Sequence, residues 1–254
     1  MLLTIDIGNS NVTIGIYEND VLTLTARLST NPNATSDEYA VSLEKALEIN
    51  GKDYHNIEDC IISSVVPSVG LAISQAVTVL CDIVPLEVGP GVKTGLNIKI
   101  DNPAQLGADL VVGAVAAINE YTLPCAIIDM GTATTVSVVD KNGAYIGCTI
   151  GAGVRLTLKA LTQNTAQLPS IDISAPPHVI GTNTVDSMRS GLVLGTAAML
   201  DGLIERIADE LGEMPTVVAT GGLSKEVIKQ CRSEIIYNEN LLLDGLKEIY
   251  ERNK

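Results

Sequence analysis

The feature that most constrains this chain is a short segment that occurs twice, about half the chain length apart. Residues 5–17 read IDIGNSNVTIGIY, residues 128–140 read IDMGTATTVSVVD, and the two align without gaps. Each copy is an apolar strand ending in Ile-Asp-x-Gly, a turn with hydroxyl or amide side chains, and a returning strand. A repeat at this offset is what duplication of a domain-sized unit produces. We therefore expect two related α/β domains, residues 1–120 and 121–254, that face each other across a cleft.

Strand and helix signals indicate which elements surround the two copies. Three strands rich in Val, Ile and Thr occupy residues 1–28, and a capping box of Thr35 and Glu38 begins an amphipathic helix. A buried strand follows at 60–66, and an Asn-Pro pair predicts an apolar helix over about 103–117. The remaining expected elements are strands at 123–131, 132–140, 144–151 and 216–220, and helices at 154–162, 184–211 and 239–252.

Charge and composition restrict the classes of binding partner and the cellular compartment that we expect for this chain. Sixteen Lys and Arg against 30 Asp and Glu give a formal net charge of −14, and Trp and Phe are absent. Nucleic-acid binders need a basic surface and aromatic stacking platforms, so no nucleic-acid partner is expected. The longest apolar run, residues 110–118, is shorter than the roughly 18 residues of a membrane span, and the N-terminus shows no secretory pattern. We expect a cytoplasmic protein with no membrane segment.

The cysteines support a reducing compartment. There are five, an odd number, and they are dispersed with no CxxC pair. This pattern favours reduced thiols over disulfides or a zinc site. We expect them, Cys148 included, to be small core residues.

The first Asp-Gly turn places a carboxylate where an apolar strand ends. An ionised Asp6 flanked by isoleucines costs several kcal/mol unless it is paired, hydrogen-bonded or near a cation. It is either a structural residue that caps its own turn or a carboxylate that handles a magnesium–phosphate group. Gly8 allows successive N–H groups to point at one anion, and the second copy repeats the pattern at Asp129, Gly131 and Thr132. The repetition favours phosphate binding.

A third glycine turn, Gly221-Gly222, follows the predicted strand at 216–220. It is equally compatible with a simple strand-to-helix turn and with a nucleotide contact. Two Asp-Gly turns and a Gly-Gly turn on duplicated α/β domains predict an actin-like (ribonuclease H-like) fold that binds ATP in the cleft. The Walker GxxxxGK[ST] motif and the dinucleotide-binding GxGxxG motif are both absent.

Asp109 is the remaining candidate for chemistry. It is the only charged side chain between Asp101 and Glu120, in an otherwise apolar helix. Such a carboxylate is either an exposed position or a general base whose pKa is raised by its surroundings. Periodicity alone leaves both open.

Beyond these features, the chain resembles the type III pantothenate kinases, which belong to the actin, sugar kinase and heat-shock protein superfamily. The resemblance extends over essentially the whole sequence. The matching segments are DIGNSN at 6–11, NPAQLGAD at 102–109, DMGTATT at 129–135, TAQLP at 165–169, IGTNTVDSMRSG at 180–191 and TGGLS at 220–224.

The resemblance implies transfer of the ATP γ-phosphate to the primary hydroxyl of pantothenate, the first step towards coenzyme A, with Mg²⁺ and a monovalent cation (K⁺ or NH₄⁺). Asp109 would be the general base, Asp129 would bind the monovalent cation, and Thr184 would contact substrate from a neighbouring subunit of a homodimer. The expected ATP contacts are Asp6, Ile7, Gly8, Asn9, Ser10, Asn11, Val12, Thr13, Thr132, Gly221 and Gly222. The expected substrate contacts are Ile100, Gly107, Ala108, Asp109, Leu110 and Thr184.

The chain departs from the family pattern in the substrate segment. Leu110 stands where the family usually has Arg, and Ile100 stands where it usually has Tyr. Cys148 replaces a Gly, and Ala152 replaces a Pro. Three hypotheses follow: an active pantothenate kinase, a kinase of the same fold for another small hydroxylated acid or amide, and a non-catalytic nucleotide-binding relative. Retention of Asp6, Asp109 and Asp129 argues against the third.

Overall fold

The first copy of the repeat is the hairpin on which a five-stranded sheet is built. In the computed structural model, which describes residues 1–254, the strand order is β3-β2-β1-β4-β5. The central strand β1 pairs antiparallel with β2 and parallel with β4. The strands are β1 (Leu2–Ile7), β2 (Asn11–Glu18), β3 (Val21–Ser29), β4 (Asp59–Ser64) and β5 (Leu86–Glu87).

The second copy begins a sheet with the same arrangement. Its order is β11-β10-β7-β8-β9-β6, so β7 takes the central position, with β8 antiparallel and β10 parallel to it. The extra edge strand β6 comes from the first half of the chain. The strands are β6 (Asn97–Ile98), β7 (Cys125–Met130), β8 (Ala133–Val139), β9 (Ala144–Ala152), β10 (Thr216–Thr220) and β11 (Ile236–Tyr237).

Eight α-helices accompany the sheets, with a π-helical turn at Ser190–Leu194 and 3₁₀ turns at Tyr54–Asn56 and Pro103–Gln105. The Thr35–Glu38 capping box is confirmed at the start of α1. The helices are α1 (Ser36–Ile49), α2 (Pro67–Cys81), α3 (Ala108–Glu120), α4 (Val154–Asn164), α5 (Thr184–Arg189), α6 (Gly195–Leu211), α7 (Ser224–Ile228) and α8 (Leu241–Asn253).

The duplication is confirmed, but the gapless alignment of the two copies is wrong beyond the turn. In the first hairpin Asp6 pairs with Thr13, whereas in the second Asp129 pairs with Thr135. The second turn is one residue shorter, because Gly131 N–H donates to Ala133 O where Gly8 N–H donates to Asn11 O. A gapless alignment would match Thr13 to Val136, which lies on the opposite face of the sheet from Asp129.

Two helix layers cover the first sheet. On one face, Ile5 packs with Leu43 of α1 and Ile73 of α2. On the other face, Ile61 of β4 packs with Val112 of α3 and Leu246 of α8. Alternate residues of a strand point to opposite faces, so this second face is also the face that carries the side chain of Asp6.

The C-terminal helix packs with the N-terminal sheet. The two compact units are residues 1–96, 101–116 and 240–254, and residues 97–100 and 117–239. The expected division after residue 120 therefore differs from these units at the C-terminus and at the short strand β6. The physical reason is the apolar side of α8, which is buried in the first unit together with Tyr17.

The helix that carries Asp109 begins later than expected. The Asn-Pro pair opens only a 3₁₀ turn, Pro103–Gln105, and Leu106 is extended. The α-helix starts at Ala108, directly after Gly107. The predicted start at residue 103 is therefore wrong, and Asp109 lies in the first turn of α3.

The membrane and cysteine predictions concern the whole chain. None of the helices of the structure is both long and apolar enough to cross a membrane. All five cysteines are free, and Cys60 and Cys125 are buried as expected, whereas Cys148 is exposed. Cys148 is exposed rather than in the core because side chains alternate along β9, where residues 146, 148, 150 and 152 share an exposed face.

We predict that Gly245→Ala destabilises the first unit. A Cβ at this position of α8 would overlap the carbonyl oxygen of Val112 in α3. Separating the two helices should cost about 1–3 kcal/mol, which urea unfolding measures. Gly195→Ala is the matched control, because its Cβ would lie 3.9 Å from its nearest neighbour, Ser190 O. Equal stability of the Gly245 and Gly195 variants would contradict the close α3–α8 contact.

Candidate active site

The centre of the site in the first unit is a row of three side chains across neighbouring strands. Asp6 near the end of β1 pairs with Thr13 on β2 and with Ser63 near the end of β4. Residues paired in this way project from the same face of a sheet. Asp6 is only 8% exposed, so the carboxylate is held within the structure rather than on its surface.

The turn after Asp6 presents polar groups on a fixed backbone. Asn9, Ser10 and Asn11 are exposed at its tip. Thr30, just after β3, holds the turn from outside: its hydroxyl donates to Gly8 O at 2.7 Å, and its N–H donates to Ser10 O at 3.1 Å. A fixed turn with exposed amide and hydroxyl side chains offers hydrogen-bond donors to an anion.

Two of the expected ATP contacts have side chains that cannot reach a ligand directly. Ile7 and Val12 are both 0% exposed and belong to the core of the first unit. Any contact they make with a nucleotide must therefore use their backbone groups.

Asp109 lies on the side of α3 that packs against the sheet carrying Asp6. On a helix, residues three apart share a side, and Val112 packs in the cluster with Ile61 and Tyr17 against the first sheet. This is the sheet face that carries Asp6 and Ser63. Asp109 is therefore half-buried rather than exposed, on the side of α3 that packs against this sheet face.

The surroundings of Asp109 alter its acidity. Burial raises its pKa, and the hydrogen bond from the backbone N–H of Leu110, at 2.8 Å, opposes this only in part. Gly107 leaves room for the carboxylate, because a Cβ there would lie 2.5 Å from Asp109 Oδ1. A raised pKa brings a carboxylate closer to the range in which it can accept a proton during catalysis.

The second unit repeats the row. Asp129 on β7 pairs with Thr135 on β8 and with Thr220 on β10, so a carboxylate again lies between two hydroxyl side chains. Thr132, at the tip of the turn, is exposed. Asp129 is half-buried and therefore more accessible than Asp6.

Gly221 has a structural role beside Asp129. Its φ is +97°, and a Cβ there would lie 2.7 Å from the backbone of Met130 and 2.8 Å from Asp129 Oδ1. Only glycine fits this conformation without strain. Gly222 is exposed and has open space around it. The glycine at position 221 is thus explained by the close approach of the turn after β10 to Asp129. Nucleotide contact by either glycine stays a prediction.

Sequence reasoning missed Gly153, which ends the GAG triplet at 151–153. A Cβ there would overlap the carbonyl oxygens of Gly131 and Thr132, and its N–H donates to Thr132 O at 3.0 Å. Gly153 therefore joins the start of α4 to the second acidic turn. The sequence signal that could have identified Gly153 was its position directly before a predicted helix, in the half of the chain that repeats the Asp-Gly turn.

A cavity with a volume of about 730 Å³ lies in the second unit. Thr184 lines it, together with Thr157, Leu161 and Ser187. Of the other expected substrate contacts, Ile100 follows β6 in the second unit, whereas Gly107, Ala108 and Leu110 surround the start of α3 in the first.

No three His, Cys, Asp or Glu side chains are grouped so that they could hold a metal ion by themselves. The available donors are one carboxylate and flanking hydroxyls in each unit. Magnesium usually keeps several waters and binds through one or two carboxylates together with substrate phosphates, so this donor set fits a magnesium ion that arrives with a nucleotide.

Two sheets with the strand order 3-2-1-4-5, each with an acidic turn after its central strand, define a two-domain actin-like fold. Component A of the (R)-2-hydroxyglutaryl-CoA dehydratase of Acidaminococcus fermentans matches with a TM-score of 0.59 and 16% identity, over 100% of this chain and 99% of that chain. The activator of the 2-hydroxyisocaproyl-CoA dehydratase of Clostridium difficile, solved with bound ADPNP, matches with a TM-score of 0.55 and 14% identity, over 98% and 93%. At these identities the similarity shows the fold alone.

The family follows from sequence comparison. The family model of type III pantothenate kinase matches residues 2–206. The type III pantothenate kinase of Brevibacillus brevis is 42% identical over 254 residues, covering 100% of both chains. This chain belongs to the type III pantothenate kinase family.

We predict that Asp109→Asn is more stable than the wild type at neutral pH. Because the pKa of Asp109 is raised in the folded state, the unfolded chain ionises first as the pH increases, and folding loses stability until the raised pKa is passed. The gain should shrink towards about pH 4, near the ordinary aspartate pKa. Urea unfolding at both pH values tests this, with exposed Asp101→Asn as the control. A less stable Asn variant at neutral pH would contradict it.

We predict that Gly221→Ala destabilises the protein by about 1–3 kcal/mol, because it combines a left-handed φ with overlap against Met130 and Asp129. Gly222→Ala, where a Cβ meets no atom within 4 Å, should have little effect. Thermal or urea unfolding of the two variants provides the measurement. Similar losses in both would show that the turn adapts and that Gly221 is not required by its contacts.

Proposed function

We propose that this chain transfers the γ-phosphate of ATP to the primary hydroxyl of pantothenate, giving 4'-phosphopantothenate in the first step towards coenzyme A. Family membership supports the reaction. The observation that carries the mechanism is the half-buried carboxylate of Asp109, on a helix packed against the sheet face that also carries Asp6.

The turn from Asp6 to Thr13 binds the ATP phosphates. Its exposed amide and hydroxyl side chains and its backbone N–H groups supply donors, and Thr30 holds it in place. Asp6 would hold the magnesium ion that accompanies ATP. When bound, that ion would neutralise charge on the phosphates, which phosphoryl transfer requires together with positioning.

Asp109 is the general base. The hydroxyl proton of pantothenate passes to its carboxylate as the hydroxyl oxygen forms a bond to the γ-phosphorus, and the bond from that phosphorus to the β–γ bridging oxygen breaks. The leaving group is ADP, so charge and atoms balance. The raised pKa of Asp109, caused by burial, supports this role because it improves proton acceptance.

The second unit contributes a monovalent-cation site and further nucleotide contacts. Asp129, between two hydroxyl residues, would bind K⁺ or NH₄⁺, and Thr132 at the exposed tip of its turn would contact ATP. Gly221 and Gly222 lie on the neighbouring turn and would approach the nucleotide through their backbone.

Substrate recognition uses the start of α3 together with Ile100 and Thr184. Gly107, Ala108 and Leu110 flank the base, and Thr184 lines the cavity of about 730 Å³. As in the family pattern, Thr184 would act on the substrate of a neighbouring subunit in a homodimer. The enzyme would work in the cytoplasm.

A second candidate is a kinase of the same fold for another small hydroxylated acid or amide. The observation that favours it is the apolar character of Ile100 and Leu110, both half-buried, where the family usually carries Tyr and Arg. Leucine offers no donor to a carboxylate, and a hydrogen bond to a charged group contributes roughly 1.5–3 kcal/mol.

We predict that ADP release with ATP, magnesium and potassium depends on pantothenate and is abolished in Asp109→Asn, while ATP binding changes by no more than a few-fold. Calorimetric titration with ATP provides the binding control, and Asp101→Asn provides the matched exposed control. No pantothenate-dependent ADP release, with ATP binding confirmed by the titration, would favour the second candidate, and a panel of small hydroxylated acids would then identify the acceptor. Unchanged turnover in Asp109→Asn would remove Asp109 from the role of base.

A further inference from the structure

Ser63 is the most deeply buried member of the row that includes Asp6. It is 0% exposed, and its hydroxyl oxygen has no hydrogen-bond partner. In the parallel pairing of β1 with β4 it lies directly beside Asp6, on the same face of the sheet. Neighbouring strands are about 4.8 Å apart, so a side chain on one can reach a side chain on the other by rotation about χ1.

A buried hydroxyl without a partner is costly, and it needs an explanation. Other hydroxyls close to Ser63 are satisfied. Thr4, on the same face of β1, donates to Gly15 O at 3.3 Å. Ser64, the next residue of β4, donates to Val66 O and accepts from Val66 N–H, both at 3.1 Å. If only the stability of the fold mattered, alanine would be more favourable than serine at position 63.

The neighbouring carboxylate supplies the reason. A carboxylate that holds a cation through one oxygen is oriented by a donor to the other oxygen, and such supporting donors tune both the position and the affinity of the site. Ser63 carries the hydroxyl that is paired with Asp6 across the parallel strands, whereas Thr13 approaches from the antiparallel side.

We propose that Ser63 is a positioning residue for Asp6. When ATP and magnesium bind, the Ser63 hydroxyl turns to donate a hydrogen bond to the Asp6 carboxylate and fixes the oxygen that faces the cation. The inference rests on the proposed role of Asp6 in binding the magnesium–phosphate group. In this proposal the unpartnered Ser63 hydroxyl lowers the stability of the nucleotide-free protein. The hydrogen bond to Asp6 recovers this stability in the bound state.

The test separates stability from nucleotide binding. Ser63→Ala should raise the unfolding midpoint without nucleotide by about 2–4 °C, because an unpartnered buried hydroxyl is removed. It should weaken magnesium–ATP binding about tenfold in calorimetric titration, with a much smaller effect on ATP without magnesium. Ser63→Cys is a second variant: its side chain has the same shape, is slightly larger and is only a weak donor, so it should give a similar loss of magnesium–ATP binding.

Thr134→Val is the matched control. Thr134 is 2% exposed and also has an unpartnered hydroxyl, but it pairs with Met130 and so lies on the opposite face of its sheet from Asp129. Its removal should raise stability and leave magnesium–ATP binding unchanged. Weakened binding in this control as well would mean that any buried polar change disturbs the site, and it would overturn the assignment of Ser63.

A double-mutant cycle with Asp6→Asn distinguishes the two proposals. If Ser63 acts through Asp6, Ser63→Ala adds no further loss to Asp6→Asn. Full additivity, or unchanged binding in Ser63→Ala while Asp6→Asn weakens it, would overturn the inference about Ser63. Unchanged magnesium–ATP binding in Asp6→Asn would instead overturn the proposed role of Asp6.

Discussion

The structure depends on one pairing that occurs twice: a central strand ending in Asp beside a parallel strand ending in a hydroxyl residue. Parallel pairing places Asp6 beside Ser63 and Asp129 beside Thr220 on single sheet faces. It also brings the carboxyl ends of the strands together, the edge at which ligands bind in open α/β sheets. The turns, the flanking glycines and the helix that carries Asp109 are all arranged around this geometry.

Much of the fold was predictable, because strong local signals agreed with the tertiary structure. The repeated Ile-Asp-x-Gly segments marked both central strands, and the Thr35–Glu38 capping box marked α1. Asp109 stood out as an isolated carboxylate, and the repetition of the acidic turns pointed to phosphate chemistry. These features depend on residues close together in sequence, where periodicity and turn chemistry carry the information.

Other features depend on contacts that no local pattern contains. In the sequence Ser63 is an ordinary residue of a buried strand, because its position beside Asp6 depends on the register of β4 with β1. Gly153 looked like part of an uninformative GAG triplet, and the shortened turn after Asp129 was invisible in a gapless alignment. The α-helix starts at Ala108 rather than at Pro103, because a 3₁₀ turn and an extended residue intervene. Register and close approach have to be seen in three dimensions.

The position of α8 has a consequence for synthesis of the chain. The first unit is assembled from residues 1–96 and 101–116 together with residues 240–254, which follow the whole of the second unit in the chain. As the chain leaves the ribosome, the face of the first sheet around Tyr17 and Ile61 stays uncovered until Leu243 and Leu246 have been made, after the second unit. Domains that are contiguous in sequence can fold one after the other during synthesis. Here the first unit is completed only after the second has been made, so the two units cannot be separated by a single cut in the gene.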